Sequence, residues 1–303
     1  MQLRKLALRD DINPPPPDDK RAWTPIGYGR YVLSESIGIA PSQEKYNQEL
    51  AEARKHIPNL LSEHDVEMQC FLNVLAALGD RKHITFMELG AGRGDWSLML
   101  DVVVNRELLA DCGIESFYIL ALESEPRHYY WCNQHLSAQI KCYRHGLVPM
   151  LPGPQKNREW GLWPGAVWWQ RGWVNFTADL DPRLNYGGCV SPNGNLKVRA
   201  YTLEDLVHEH THVGRADFIH MDVQGAEAEI FENSVDFLNT WAIDYLQIGC
   251  HYPEGNERLV KAVEKWYNVI LDIPCFAGLV QTPWGPAKMD NVDGILLLER
   301  KGQ

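Results

Sequence analysis

The densest chemical signal in the chain is Phe86-Met87-Glu88-Leu89-Gly90-Ala91-Gly92-Arg93-Gly94-Asp95, an apolar run that ends in an acid and enters a turn with glycine at every second position. Glycine there lets the backbone approach a ligand closely and take positive φ, and it leaves the free amides of a starting helix facing that ligand. A dinucleotide fingerprint, Gly-x-Gly-x-x-Gly, needs glycine at position 95, where this chain has Asp95. The spacing therefore argues against a nicotinamide dinucleotide, and the preceding acid suits a ligand with a cationic amino-acid end. A second apolar run, Tyr118-Ile119-Leu120-Ala121-Leu122, ends at Glu123, where a carboxylate can accept bonds from both hydroxyls of a ribose. A third feature, His208-Glu209-His210-Thr211-His212, alternates histidines as ligands on a strand would. It lies between a helical pattern and Gly214 and reads as a solvated loop, so no dedicated metal site is expected.

These residues need elements to hold them. Short β-rich runs near 84–89, 117–122, 140–144, 196–201, 216–222, 243–250, 267–272 and 292–298 alternate with helical patterns near 94–104, 125–137, 202–208, 225–239 and 254–266. That alternation is the signature of crossovers building a mostly parallel, doubly wound sheet. Ahead of it, residues 1–42 are rich in turn formers and charge, with Pro14 to Pro17 in a row, and read as an arm. From Ser42 to about Leu78 the pattern is helical. The expected organisation is an N-terminal arm and helical extension over 1–80 and an α/β domain over 81–303. Residues 150–195, with Trp160, Trp163, Trp168, Trp169 and Trp173 among Gly and Pro, read as an irregular insert, either a lid or binding loop or an aromatic mini-core packed on the sheet.

The composition, 45% hydrophobic and 23% charged over 303 residues, excludes wholesale disorder. A net charge of -11 disfavours a nucleic acid or an anionic membrane as partner. The seven cysteines are scattered without a Cys-x-x-Cys pair and read as free thiols. No apolar run approaches the roughly 18 residues that span a bilayer, and the start lacks the apolar stretch of a signal peptide. A soluble, cytoplasmic protein is expected, and a homo-oligomer is compatible with this reading.

The stretch Ala216-Asp217-Phe218-Ile219-His220-Met221-Asp222-Val223-Gln224-Gly225-Ala226-Glu227 resembles the "Asp-Phe-Ile-Lys-Ile-Asp-Val-Glu-Gly-Ala-Glu" segment of the FkbM family of class I S-adenosylmethionine-dependent methyltransferases. Tyr201-Thr202-Leu203-Glu204-Asp205-Leu206 is similar to that family's "Thr-Leu-Asp-Asp-Leu" helix start, and Ala121-Leu122-Glu123-Ser124-Glu125-Pro126 to its "Ala-Phe-Glu-Pro-x-Pro" turn. The similarity covers about 84–299. The chain departs from the pattern at Gly92, where Asn is common, at Ser124 in place of a proline, and at Gln224 in place of Glu.

The resemblance implies a Rossmann-like class I methyltransferase fold, with seven mostly parallel strands and helices on both faces, and S-adenosylmethionine as cofactor. Carried over by position, Glu88, Gly90, Gly92 and Gly94 would hold the methionine end and Glu123, with Ser124 beside it, the ribose. Tyr143 to Gly146, His145 among them, would lie beside the adenine. Family topology sets the strands ending at Asp222 and near His251 side by side, which makes His251 the expected base. Asp222 would orient that histidine, bind substrate or contact the cofactor amino group; Glu227 and His220 rank behind both. The expected acceptor is a hydroxyl of a small molecule such as a sugar-bearing natural product, with the tryptophans stacking on it. An amine acceptor and a non-catalytic binding or partner module on the same fold stay open.

Overall fold

The computed structural model describes residues 1–6, 22–25, 30–36, 41–105, 109, 112–140, 143–144, 158–178, 181, 183, 187–290 and 294–302. Its centre is a sheet of β1 (His83–Leu89), β2 (Ser116–Glu123), β3 (Arg158–Pro164), β4 (Ala216–Met221), β5 (Ile243–Cys250), β6 (Tyr267–Ile273) and β7 (Gly294–Arg300). Their spatial order is β6-β7-β5-β4-β1-β2-β3, with the two-residue strand Tyr143–Arg144 at the edge beside β3. All pairings from β5 to β3 are parallel, and β7 alone runs against both of its neighbours. Strand order departs from chain order between β1 and β4, so both chain directions diverge from that point, and the ends of β1, β2 and β4 open a crevice there. This is the mixed α/β sheet that the alternation of runs predicts.

The helices are α1 (Pro41–Arg54), α2 (Glu63–Ala77), α3 (Asp95–Asn105), α4 (Pro126–Gln139), α5 (Leu203–His210), α6 (Glu227–Glu232) and α7 (Pro253–Val263), with a short turn at Val235–Leu238. The pattern over 225–239 thus divides in two. Capping boxes start α2, through Ser62 and Asp65, and α5, through Thr202 and Asp205, so the Thr-Leu-x-Asp motif is a helix start in fact. Two apolar clusters cover the two faces of the sheet. One gathers α2, α3 and α4 around Phe71, Phe86 and Phe218, and the other gathers α5, α6 and α7 around Leu120, Ile219 and Leu246. The central strands are buried on both faces, as parallel strands must be.

Two expectations change. The third parallel strand is Arg158–Pro164, inside the expected irregular insert, and not 140–144, where Ile140 caps α4 and Tyr143–Arg144 is the edge strand. Gly161 makes this register possible, because the Trp163 ring lies over it, 1.9 Å from where a Cβ would stand. Among the described residues, three further strands of the insert join Leu196–Tyr201 in a second sheet, in the order Cys189–Val190, Gly172–Thr177, Leu196–Tyr201 and Ala166–Val167. The run 196–201 is therefore a strand, though not of the central sheet. Outside the expected elements, Ala277–Thr282 and Gly285–Asp290 form a hairpin that pairs with Leu61–Ser62.

Residues 1–6 lie along α2, where side-chain amides take the place of a neighbouring strand. Asn73 accepts from the Arg4 amide and donates to its carbonyl, at 2.9 Å each, and Gln69 does the same for Leu6 at 2.9 and 2.8 Å.

Candidate functional site

The glycine turn stitches three strand ends together. The amides of Gly90 and Ala91 donate to the Leu122 carbonyl at 3.0 and 2.9 Å, and the Asp222 amide donates to the Leu89 carbonyl at 2.9 Å. Gly90 has φ +80°, and a Cβ there would stand 1.8 Å from the Asp222 carbonyl oxygen, so no side chain fits. Gly94, at φ +81°, packs against Cys132. Glu88 is buried beneath the turn, 1% exposed. Its carboxyl accepts from the Trp96 and Ser97 amides at 3.1 and 2.9 Å and from the Ser97 hydroxyl, which fixes the first turn of α3. Burial pushes this carboxyl up to about 8 against those hydrogen bonds.

Glu123 ends β2 with one carboxylate oxygen accepting from the Gly92 amide at 2.6 Å and the other from the Glu125 amide at 2.7 Å. Burial pushes it up to about 7, with backbone donors pulling the other way. The carboxylate still has acceptor capacity, since two oxygens offer about four lone-pair sites. The Ser124 hydroxyl donates to the Gly165 carbonyl at 2.8 Å, and Glu125 caps α4 by accepting from the His128 amide at 2.7 Å.

These groups border a cleft of about 650 Å³, counted to its open mouth. Its floor holds Gly90, Gly92, Glu123, Ser124 and Asp222; its roof is Gly165–Val167 with Phe176, Gly188 and Val190 of the small sheet. Of the residues expected at the cofactor, Glu88 and Gly94 stand behind the floor and His145 lies outside the described residues. Sequence reasoning missed Glu125, His128 and Gln224, and it placed a lid or binding loop in the 150–195 insert without naming the roof residues. The cue for Glu125 is its place between Glu123 and a helix-starting proline. The expected stacking tryptophans are elsewhere: Trp160 is buried, Trp163 and Trp168 pack against the core, Trp169 and Trp173 face solvent, and the aromatic ring at the cleft is Phe176.

At the rim, His251 stands between two carboxylates. Its Nε2 is 3.0 Å from Asp222 Oδ1, and its Nδ1 is 3.0 Å from Glu227 Oε1. Glu227, the first residue of α6, also accepts from the amides of Val223 and Gly225 at 3.2 and 3.1 Å, which folds the loop after β4 around it. The Gln224 amide donates to Asp222 at 2.9 Å from a backbone held at φ 59°, unusual for a residue with a side chain. The Asp222 side chain is 38% exposed and borders the cleft, whereas those of His251 and Glu227 are 6% and 5% exposed. His251 thus sits one layer behind Asp222 and borders a smaller cavity with Tyr252, Glu254 and Arg258. Burial works to raise the Asp222 carboxyl, but the hydrogen bond and charge of His251 outweigh it and hold the group below its ordinary value.

No other set of three His, Cys, Asp and Glu side chains among the described residues converges in this way. The 208–212 run disperses: α5 extends through His210, Glu209 pairs with Arg171 at 2.6 Å, His210 packs on Trp163, and His212 reaches Glu159 at 3.2 Å. His220 lies under Trp96, ring centroids 4.8 Å apart, and burial lowers its pKa. The six described cysteines are free thiols. No helix among the described residues is long and apolar enough to cross a membrane.

The family profile described as "Methyltransferase FkbM domain" matches residues 168–272, a span that holds β4, β5, Asp222, Glu227 and His251. That domain is one of S-adenosylmethionine-dependent methyltransferases. No curated protein matches the chain. Among solved structures, the N-terminal domain of human METTL16 in complex with S-adenosylhomocysteine is 8% identical with TM-score 0.42, over 91% of this chain and 87% of that one. Sp1610 of Streptococcus pneumoniae, a putative tRNA (m1A22) methyltransferase in complex with S-adenosylmethionine, is 12% identical with TM-score 0.37, over 77% and 72%. A putative RNA methyltransferase from Pyrococcus horikoshii is 13% identical with TM-score 0.39, over 84% and 96%.

Proposed function

We propose that this chain transfers a methyl group from S-adenosylmethionine to a hydroxyl of a small molecule, a sugar or sugar-bearing natural product being the favoured class. The observation that carries this reading is the cleft floor, where positive-φ glycines, Glu123 and Asp222 meet at the ends of three adjacent strands. The residues fit the cofactor: a Cβ at Gly90 would fill the cradle, and Glu123 keeps lone pairs for a pair of hydroxyls. Gly90, Gly92 and Asp222 would hold the amino-acid end and Glu123 with Ser124 the ribose.

The cofactor supplies a methyl carbon already bonded to a positively charged sulfur. What remains for the protein is alignment and proton removal, because an alcohol barely ionises at neutral pH. Asp222 faces the cleft with His251 behind it, so the pair can take a hydroxyl proton at the rim. Phe176 and Val190 give the roof an apolar lining that keeps water from the reacting atoms. The net charge of -11 and the acids at the cleft favour a neutral acceptor over a nucleic acid.

Calorimetric titration with S-adenosylmethionine and S-adenosylhomocysteine tests the cofactor half, with micromolar binding expected. A screen of hydroxylated acceptors with labelled methyl donor tests the other half. A folded protein that binds neither ligand overturns the reading, and one that binds both yet is unaffected by His251→Ala with Asp222→Ala for every acceptor tried is a binding module instead.

A further inference from the structure

Behind the rim lies a second space with its own chemistry. The loop after β4 gives Asp222, Val223 and Gln224 to the cleft and Gly225 to the smaller cavity, so the two are neighbours divided by that loop and the His251 ring. The cavity holds about 470 Å³ counted to its open mouth, within the range of small-molecule sites, and lies between the first turns of α6 and α7. Tyr252, just ahead of α7, is 57% exposed, yet its ring is backed by the chain: it lies on Gly225, where a Cβ would stand 2.2 Å from Cε2. The rest of the ring is an open aromatic surface at the mouth. Beside it, the Glu254 carboxylate and the Tyr252 hydroxyl have no hydrogen-bond or ion-pair partner among the described residues. Arg258, one turn further along α7, is held by Glu232 of α6 through Nε at 3.0 Å and Nη2 at 2.6 Å, which leaves other donors of its guanidinium for the cavity.

These groups discriminate between ligand classes. The Glu227 and Glu254 carboxylates, with Arg258 neutralised by Glu232, disfavour a phosphate or a carboxylate. A single aromatic ring is not the cage of rings that holds a quaternary ammonium. A hydroxyl both donates and accepts, so hydroxyls on adjacent carbons serve the acceptor Glu254 and the donor Arg258 together. The C–H face of a sugar ring is an apolar surface that the Tyr252 ring can cover. We propose that this cavity seats a sugar ring of the acceptor, stacked on Tyr252 and hydrogen-bonded to Glu254 and Arg258, while the acceptor reaches past His251 to present its reacting hydroxyl at Asp222. The sugar site rests on the reading of the chain as a methyltransferase acting on hydroxyls. Tyr252, Glu254 and Arg258 do not border the cofactor cleft, so donor and acceptor affinities are separable.

Saturation-transfer NMR on the full-length protein, with and without S-adenosylhomocysteine, tests the site. The probes are the methyl glycosides of glucose, galactose, mannose and rhamnose, with tetramethylammonium and acetate as competing classes. At least one glycoside should bind with a millimolar Kd and receive saturation at its ring C–H protons. Tyr252→Ala should weaken that binding about tenfold, Tyr252→Phe should retain most of it, and Glu254→Gln, which removes a charge-assisted contact, should weaken it by a similar factor. Calorimetric titration with S-adenosylhomocysteine should give an unchanged Kd in all three variants. Absence of glycoside binding to folded protein, or glycoside binding that Tyr252→Ala leaves unchanged, overturns the proposal. It is overturned equally if tetramethylammonium or acetate, and no glycoside, is the ligand that Tyr252→Ala releases. Failure of S-adenosylhomocysteine to bind removes the methyltransferase reading instead, and glycoside binding in its absence still decides whether the cavity is a sugar site. Should Tyr252→Ala fail to fold, Glu254→Gln, on an exposed helix turn, decides by the same criterion.

Discussion

The carboxyl of Glu123, pushed up to about 7 by burial, makes cofactor affinity depend on pH in a calculable way. On the proposed register a ribose hydroxyl would donate to the ionised carboxylate, so this part of the affinity should be fully present above the folded-state value and be lost as pH falls through 7. The ionised fraction climbs from about one tenth at pH 6 to about nine tenths at pH 8, so the Kd should tighten about tenfold, or about 1.4 kcal/mol. Replacing Glu123 with Gln perturbs the same contacts. The two carboxylate oxygens accept the Gly92 and Glu125 amides, and a carboxamide serves one of them while turning its own N–H₂ toward the other. Loss of a charge-assisted contact should weaken binding by roughly 1.5–3 kcal/mol and flatten the pH dependence. The assay is calorimetric titration of wild type and Glu123→Gln with S-adenosylhomocysteine from pH 6 to 8, the difference between the two isolating the Glu123 contribution. A wild-type Kd constant across that range, or an equal slope in Glu123→Gln, refutes the assigned register.

Three further outcomes follow from the same geometry. The Glu88 carboxyl is raised from 4.5 to about 8 in the folded chain, so its protonated form favours folding, and stability present at acid pH declines as pH rises through 8. Denaturant unfolding of wild type relative to Glu88→Gln should show this difference as roughly 3–5 kcal/mol between pH 5 and 9; a flat difference would mean the carboxyl is not held protonated. Gly90→Ala places a Cβ 1.8 Å from the Asp222 carbonyl oxygen at φ +80°, a left-handed conformation that alone costs roughly 1–2 kcal/mol. It should weaken binding of S-adenosylmethionine beyond detection while far-ultraviolet circular dichroism keeps its shape, and a measurable, near wild-type Kd would contradict the cradle. Phe176→Leu should raise KM for the acceptor, and Trp173→Ala, with its ring 60% exposed on the outer side of the same strand, should change neither KM nor kcat; identical steady-state constants in the two variants would remove Phe176 from the acceptor's path.

The central strands were legible because parallel strands buried on both faces read as continuous apolar runs, and the glycine turn because its φ values leave little choice of residue. Arg158–Pro164 was not, since its tryptophans, glycine and proline imitate a loop, and Gly161 looks like a break until the Trp163 ring is seen lying on it. Glu88 was legible as an acid but not in its orientation: its place before the turn fits a ligand contact equally well, and only the amides of Trp96 and Ser97 show that it points into the fold. Glu227 ranked low for a related reason. It lies 24 residues from His251, and nothing along the chain announces that the loop after β4 curls back to set it against the ring.

The roof of the cleft comes from one continuous stretch between β3 and β4, whereas its floor is made of strand ends locked into the core. The Ser124 hydroxyl on the Gly165 carbonyl is a tie between the two halves. Such a separation makes the stretch from Gly165 to Tyr201 a natural cassette. Exchanging it for one of another length or shape would redraw which molecules are admitted, and the machinery that holds the methyl donor would stay as it is. A graft at those two ends, followed by titration with S-adenosylhomocysteine, would show ligand affinity and acceptor choice to be inherited independently.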